Sequence, residues 1–372
     1  MAVPTSQDFQ WMAQALRLAE QGLYTTSPNP RVGCVIVKNN QIIGQGAHLK
    51  AGEPHAEVFA LREAAQQAEG SDVYVTLEPC SHYGRTPPCV EAVIAAKPKR
   101  VIIAMQDPNP LVAGRGVAAL QQHGIEVVVG VMQNEAQALN LGFISRMTRG
   151  LPYVRTKIAA SLDGRTALNN SKSQWITGEQ ARLDVQYWRA QSCAIITGIG
   201  TVMADNPSMT VRLKNTTRQP LRVIVDSHLQ ISADSKMLDA EVLKYSPVLI
   251  AHAHDQNGRA DELRQAGVEL VCLADAAEKV DLRALLTLLA QRGVNEVLIE
   301  AGQGLNGAFL HANLIDEFIF YYAPKLMGDA AKAMFAMPEL TEMQQVTDLQ
   351  VIDIRLVGRD IRLRAKPLKT GT

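Results

Sequence analysis

The sequence predicts a two-domain α/β protein. A length of 372 residues exceeds the roughly 100–200 residues of one domain. Short apolar runs alternate with helically spaced segments through both halves. Between the halves, Gly150-Leu151-Pro152 sets a glycine and then a proline where a helix should stop, so the boundary is placed at 150/151, giving domains 1–150 and 151–372.

In chain order, an amphipathic helix with Asp8 as its candidate cap runs to about Gln21. The runs VGCVIV and QIIGQGAH flank Asn39-Asn40 and read as a hairpin. A helix follows over about 56–68, then the strand DVYVTL, the loop EPCSHYGRTPPC, a helix to about Ala96, and the strand RVIIAM. A helix, the strand IEVVV and a further helix to about Arg149 complete the first domain. In the second, YVRTKIAAS, AIITGI, LRVIVDS, VLIAH, VELVCL, VNEVLIEAG and DEFIFYYAP read as strands. Helices are expected near 178–192, after Asp261 and near 281–292, with a closing hairpin in VIDIRLVGRDIRLRA.

Apolar residues make up 47% and charged residues 20%, a globular balance. Lys plus Arg equals Asp plus Glu at 37 each, so no broad positive field is available for a nucleic-acid backbone, and small molecules are the expected partners. No stretch reaches the roughly 18 continuous apolar residues of a membrane helix. No charged segment followed by an apolar core is visible at the start, and five cysteines are an odd, sparse set. A reducing cytoplasm is the expected location. Cys34, Cys193 and Cys272 lie in or beside apolar strands and read as small packed hydrophobes.

The strongest chemical signal is His55-Ala56-Glu57 at a helix start, together with Pro79-Cys80 at a strand end and Cys89 at the next helix start. Three such ligands can hold Zn²⁺ and leave its fourth position to water. The ion lowers the pKa of that water, and a carboxylate must then carry a proton from it to a departing amine. Glu57, two residues past the ligand, is placed to do so. The pattern H-x-E…P-C-x-x-C marks zinc deaminases of nucleobase-like rings, but here eight residues separate Cys80 from Cys89. The competing reading is a closed structural site with His82 as the fourth ligand. His48 reads equally as a ring contact or a strand-end surface residue. Asp107 and Asn109 sit at a strand's C-terminal end, where open α/β sheets place ligands; their alternative role is to shape a turn between two prolines.

In the second half, Gly302-Gln303-Gly304-Leu305-Asn306-Gly307 follows a strand and opens a helix. Glycines let a phosphate approach the backbone N–H groups of a helix start. A Rossmann domain also needs an acid ending the next strand, and Tyr321-Tyr322-Ala323 stands there instead, which disfavours that fold. Gly198 and Gly200 form a second glycine loop after a strand, so two such loops are expected to face one cleft.

With these motifs in place, the chain resembles the bifunctional deaminase/reductase family of riboflavin biosynthesis. The matching stretches are TTSPNPRVGCVIV, AGEPHAEVFAL, YVTLEPCSHYGRTPPC, MQDPNPLVAGRG, KIAASLDGRTA, SQWITG, GTVMADNPSMTVR and EAGQGLNGAFL. The resemblance implies a cytidine-deaminase-like α/β/α domain followed by a dihydrofolate-reductase-like α/β domain, using zinc and NADPH in a homo-oligomer. It implies deamination of 2,5-diamino-6-(5-phosphoribosylamino)pyrimidin-4(3H)-one and then reduction of the ribosyl group to ribityl. His55, Cys80 and Cys89 would hold zinc, Glu57 would shuttle the proton, and Asn29, His48, Arg85, Asp107 and Asn109 would contact the first substrate. Ala159, Trp175, Thr201, Asp205, Ser227, Gly302, Gln303, Gly304, Leu305, Asn306, Gly307 and Ala308 would hold NADPH. Lys157, Ser173, Arg189, Met209, Arg212 and Glu300 would contact the second substrate, with Asp205 and Lys157 as the candidate proton donors for ring opening. Without that context, Trp175 and Met209 read as core. The loop Asn169-Asn170-Ser171-Lys172 departs from the small residues common in the family.

Three other readings compete. A transfer-RNA adenosine deaminase shares the zinc chemistry but needs a basic surface, which this charge balance does not supply. A cytidine or free-base deaminase fused to an unrelated domain would never oxidise NADPH, and a zinc-stabilised binding module would not depend on Glu57 at all.

Overall fold

The computed structural model describes residues 3–82, 88–110, 112–255 and 258–368. The chain divides into two compact units, Met1–Leu151 and Pro152–Thr372.

The first unit contains α1 (Ser6–Ala19), β1 (Gly33–Lys38), β2 (Gln41–Ala47), α2 (Ala56–Ala64), β3 (Asp72–Leu77) and α3 (Cys89–Ala95). It continues with β4 (Arg100–Met105), α4 (Arg115–Gln122), β5 (Glu126–Val129), α5 (Gln133–Leu139) and α6 (Leu141–Arg149). The strands form one sheet in the order β2-β1-β3-β4-β5. The β2/β1 and β1/β3 pairs are antiparallel and the other two parallel. Asn39 and Asn40 take φ of 51° and 61°, the left-handed pair that a two-residue hairpin turn needs. Helices cover both faces. A Cβ on Gly33 would fall 1.9 Å from the Ala15 carbonyl oxygen of α1, and one on Gly46, which pairs with Cys34, would fall 2.3 Å from that of Ala56 in α2. Successive residues of a strand point to opposite faces, so the layers are α/β/α.

Two local expectations change. Thr5, not Asp8, caps α1, and Asp8 occupies the third helical position of a capping box. Its carboxylate also accepts from Tyr74 Oη at 2.8 Å and Arg100 Nη2 at 3.1 Å, so this acid is buried and turned inward. α2 stops at Ala64 because Ala65 takes φ of 47°, and the chain continues as a 3-10 turn to Ala68.

The second unit begins with β6 (Tyr153–Ser161), β7 (Arg165–Ala167), α7 (Glu179–Gln191), β8 (Ala194–Gly198), α8 (Ile199–Asp205) and β9 (Leu221–Val225). Next come α9 (Ala240–Leu243), β10 (Val248–His252), α10 (Ala260–Gln265), β11 (Glu269–Cys272), α11 (Leu282–Gln291) and β12 (Glu296–Ile299). It ends with α12 (Gln303–His311), β13 (Glu317–Ala323), β14 (Lys332–Ala333), β15 (Leu349–Val357) and β16 (Asp360–Pro367). Nine strands form one sheet in the order β11-β10-β9-β8-β12-β6-β13-β16-β15. All pairs from β11 to β13 are parallel, and the C-terminal hairpin adds two antiparallel strands. Ile195, Ile196, Val223, Ile224, Val297 and Leu298 are fully buried, the continuous apolar runs of a parallel sheet covered on both faces. β8 and β12 are neighbours, so their C-terminal glycine loops emerge side by side. The pair β7/β14 was not legible in sequence because its strands span only three and two residues.

Candidate functional site

In the first unit, α2 and α3 both start at one place. His55 is the N-cap residue of α2 and Cys89 the first residue of α3. Cys80 lies three residues beyond the end of β3. His55 Nδ1 stands 3.1 Å from Cys89 Sγ and 3.7 Å from Cys80 Sγ. A tetrahedral ion with bonds of about 2.0–2.3 Å separates its donors by about 3.3–3.8 Å; the His55–Cys80 gap matches this and the His55–Cys89 gap is slightly shorter, and one imidazole nitrogen with two sulfurs is a donor set that suits zinc. The Cys89 backbone N–H donates to Cys80 Sγ at 3.2 Å. Hydrogen bonding from Cys89, with His55 beside it, outweighs burial and holds the Cys80 thiol down at about 4, while sharing that proton pushes Cys89 up. The neighbouring histidine favours the Cys80 sulfur in its thiolate form. Among the described residues the cluster has three donors, and His82 is not one of them.

Glu57 sits on the first turn of α2, only 3% exposed, and its Oε2 has no hydrogen-bond partner. Burial pushes its carboxyl up to about 7. His48 is also buried, its ring 5.1 Å from that of His55 in an edge-on arrangement. His48 Nδ1 faces the Pro54 carbonyl oxygen at 3.1 Å and Nε2 faces Asn29 Nδ2 at 3.1 Å. A neutral ring donates at Nδ1 and accepts at Nε2, and burial depresses the His48 pKa accordingly. His48 therefore stands beside the metal cluster, joined to Asn29. Asp107 follows β4, the strand beside β3. Burial raises its pKa, and Glu78, His82 and Cys80 are its charged neighbours. Its Oδ1 accepts the Asn109 N–H at 2.9 Å, so the turn-shaping role is present as well. Arg85 lies outside the described residues.

The second unit holds a cleft of about 1090 Å³ at the C-terminal ends of the central strands. It is lined by Ala159, Trp175, Thr201, Asp205, Ser227, Gly302, Gln303, Gly304, Leu305 and Ala308, and by Lys157, Ser173, Arg189, Met209, Arg212 and Glu300. Two members of the glycine segment turn elsewhere. Asn306 is buried, with Nδ2 on the carbonyl oxygens of Ala301 and Met334. A Cβ on Gly307 would lie 2.0 Å from the Ala336 carbonyl oxygen, so that glycine serves packing. The two glycine loops meet where Gly302 N–H donates to Thr201 Oγ1 at 3.1 Å. The N-cap of α12, Gly302, has no side chain to satisfy the first N–H groups, and Gln303, Gly304 and Leu305 of that first turn line the cleft, an arrangement of the kind that suits a phosphate.

Trp175 is 64% exposed, under the Arg182 guanidinium at 4.7 Å, and is therefore not core, whereas Met209 is 4% exposed and is. Ser173 Oγ donates to Asp205 Oδ1 at 2.9 Å, and Lys332 Nζ donates to Ser171 Oγ at 2.7 Å, fixing the divergent loop against β14. Burial alone would raise Glu300, but Arg189 and Lys157 override it and hold its carboxyl at about 2. Three cations, Lys157, Arg189 and Arg212, thus face one carboxylate, a surplus that suits a phosphate. Cys34 and Cys193 are buried as expected, but Cys272 is exposed because β11 is an edge strand. Sequence reasoning missed Glu78 and the cleft-lining Lys236, Lys279 and Lys332, since single polar residues in loops carry no periodic signal.

Residues 152–363 match the RibD C-terminal domain, and residues 5–105 match the cytidine and deoxycytidylate deaminase zinc-binding region. The riboflavin biosynthesis protein RibD of Escherichia coli is 45% identical over 369 residues, covering 96% of this chain and 98% of that protein. The chain belongs to the RibD family. RibD of Haemophilus influenzae is 44% identical over 98% of both chains. A solved RibD structure from Acinetobacter baumannii superposes with a TM-score of 0.88 at 48% identity, covering 97% of this chain and 99% of that one. A Thermotoga maritima structure described as a diaminohydroxyphosphoribosylaminopyrimidine deaminase/5-amino-6-(5-phosphoribosylamino)uracil reductase gives 0.86 at 32% identity, over 97% and 99%. As a RibD-family protein, this chain is a bifunctional riboflavin-pathway enzyme, with a cytidine-deaminase-like zinc hydrolase and a dihydrofolate-reductase-like reductase that uses NADPH. No helix among the described residues is long and apolar enough to cross a membrane.

Proposed function

We propose that residues 1–150 deaminate 2,5-diamino-6-(5-phosphoribosylamino)pyrimidin-4(3H)-one and that residues 151–372 reduce the ribosyl group of the product to ribityl. One observation carries the reading: a three-donor centre of His55, Cys80 and Cys89 beside a buried Glu57 oxygen with no partner. Zinc held by His55, Cys80 and Cys89 would supply an acidified water. Glu57 takes a proton from that water at Oε2 and returns it to the amino nitrogen. The ring carbon gains a C–O bond, its C–N bond breaks, and ammonia leaves. His48 and Asn29 form one wall against the ring, Asp107 and Asn109 hold its other edge, and Arg85 is assigned to the phosphate.

In the second site, the cleft-facing residues of Gly302–Ala308, with Ala159, Trp175, Thr201, Asp205 and Ser227, would hold NADPH, which would supply the hydride. Arg189 and Arg212 hold the sugar phosphate, while Ser173, Met209 and Glu300 line the sugar. The C1–O bond opens as nitrogen forms a double bond to C1, hydride adds at C1, and the released oxygen takes a proton. Lys157, whose Nζ lies 3.0 Å from Glu300 Oε2 at the cleft wall, is assigned that proton. A homo-oligomer in the cytoplasm completes the reading. The edge strand β15 leaves Val351 51%, Ile354 60% and Leu356 73% exposed, which supports pairing with a second copy.

The test supplies the diaminopyrimidine ribotide and follows ammonia and the absorbance of reduced nicotinamide together. Both should change in sequence. Ammonia without nucleotide oxidation would overturn the proposed second substrate and spare the first.

A further inference from the structure

Glu78 follows β3 directly and stands two residues before Cys80. It is 4% exposed, and its carboxylate accepts four backbone N–H bonds. Oε2 takes those of Asp107 at 3.1 Å and Gly114 at 3.0 Å; Oε1 takes those of Gly116 at 2.8 Å and Val117 at 3.1 Å. Gly116 and Val117 are the second and third residues of α4, whose N–H groups have no partner within the helix. A cap side chain normally serves them, but the N-cap residue is Gly114, at φ of 77°, and has none. Glu78 therefore caps α4 from another strand, where a negative charge is favoured by the helix dipole.

The same carboxylate closes both ends of the loop between β4 and α4. Within it, Asp107 Oδ1 holds the Asn109 N–H, and the Asn109 carbonyl oxygen accepts the N–H groups of Val112 and Ala113. The fit is close. A Cβ on Gly116 would lie 2.3 Å from the Pro79 carbonyl oxygen and 3.1 Å from Glu78 Oε1, so only glycine lets the first turn of α4 settle on the segment that leads to Cys80.

We propose that Glu78 is a positioning residue of the deaminase, fixing Asp107 and Asn109 relative to the zinc-ligand strand end through four backbone bonds. The proposal rests on the reading that Asp107 and Asn109 contact the pyrimidine. Glu78 itself touches neither metal nor substrate. Its action is to tie the strand end that leads to Cys80 to Asp107 and to the first turn of α4, so that the ring is held at a fixed offset from the metal centre.

Glu78→Gln is the direct test, because the amide keeps one acceptor oxygen and turns an NH₂ group toward the other pair of N–H donors. The KM for deamination should rise by roughly tenfold or more. kcat, zinc content and NADPH oxidation on the already deaminated substrate should stay within about twofold of wild type. Glu78→Asp, which keeps the charge but is one carbon shorter, should recover part of the KM loss. Gly116→Ala, which leaves Glu78 intact and lifts α4 away from it, should reproduce the rise, and it decides the matter if Glu78→Gln does not fold. Asp107→Asn is measured alongside. A KM rise there with none in Glu78→Gln and Gly116→Ala overturns the positioning role alone, and so does a parallel fall in zinc content and kcat of Glu78→Gln with the KM of its zinc-loaded fraction unchanged. No effect of Asp107→Asn overturns the contact reading instead.

Discussion

Arg189 grips Glu300 with two nitrogens, Nε at 2.5 Å from Oε1 and Nη2 at 3.1 Å from Oε2. Lys157 Nζ reaches the same Oε2 at 3.0 Å. Such a forked pair fixes orientation as well as charge. Arg189→Lys keeps the charge and loses the fork, and the two side chains are not equivalent at such a site. The kcat/KM for NADPH oxidation should fall by roughly 10- to 100-fold, measured with the deaminated substrate, while ammonia release from the first substrate stays at the wild-type rate.

The same carboxylate makes stability depend on pH. Glu300 titrates at about 2 in the folded protein, against an ordinary value of 4.5. Its contribution is therefore complete above 4.5, shrinks as pH falls and the unfolded chain takes up the proton first, and is gone below about 2. Wild-type thermal stability should decline more steeply than that of Glu300→Gln between pH 4.5 and 2, by calorimetry of both proteins. Equal slopes would show that Glu300 does not carry this linkage.

Two glycines of α12 should behave oppositely. Gly307→Ala puts a Cβ 2.0 Å from the Ala336 carbonyl oxygen, and such overpacking costs about 1–3 kcal/mol, visible as a lower Tm. Gly304→Ala meets nothing within 4 Å, so Tm should hold. It lines the cleft, so the KM for NADPH should rise. The pair separates packing from cofactor contact.

Removal of zinc should split the two activities. Cys80→Ser, or a chelator applied to the wild type, takes away a ligand that the centre requires. Ammonia release should vanish, and NADPH oxidation on the deaminated substrate should continue, because none of the cleft residues belongs to the metal centre. Loss of both activities would argue against two separate sites.

Much of this architecture is legible in the sequence where a repeat or a strict spacing carries it. The buried strands announce themselves as apolar runs, and His55, Glu57, Cys80 and Cys89 by their positions at strand and helix ends. What escapes is interaction at long separation. Glu78 serves α4 from 38 residues away, and nothing local marks it. Asp8 read as a cap and proved to be one arm of a box whose cap is Thr5, because either residue can play that part in isolation. Asn306 and Gly307 fit the phosphate-loop spacing yet turn toward Met334 and Ala336, an orientation that only the neighbouring segment decides.

The most direct measurement is ammonia release by Glu57→Gln, with zinc content and NADPH oxidation read on the same preparation. Zinc should remain near one per chain and reduction of the deaminated substrate should be intact, while ammonia release falls by roughly 10²- to 10⁴-fold. Ammonia release at the wild-type rate from a zinc-loaded Glu57→Gln protein would contradict the assignment of Glu57 as the group that moves the proton.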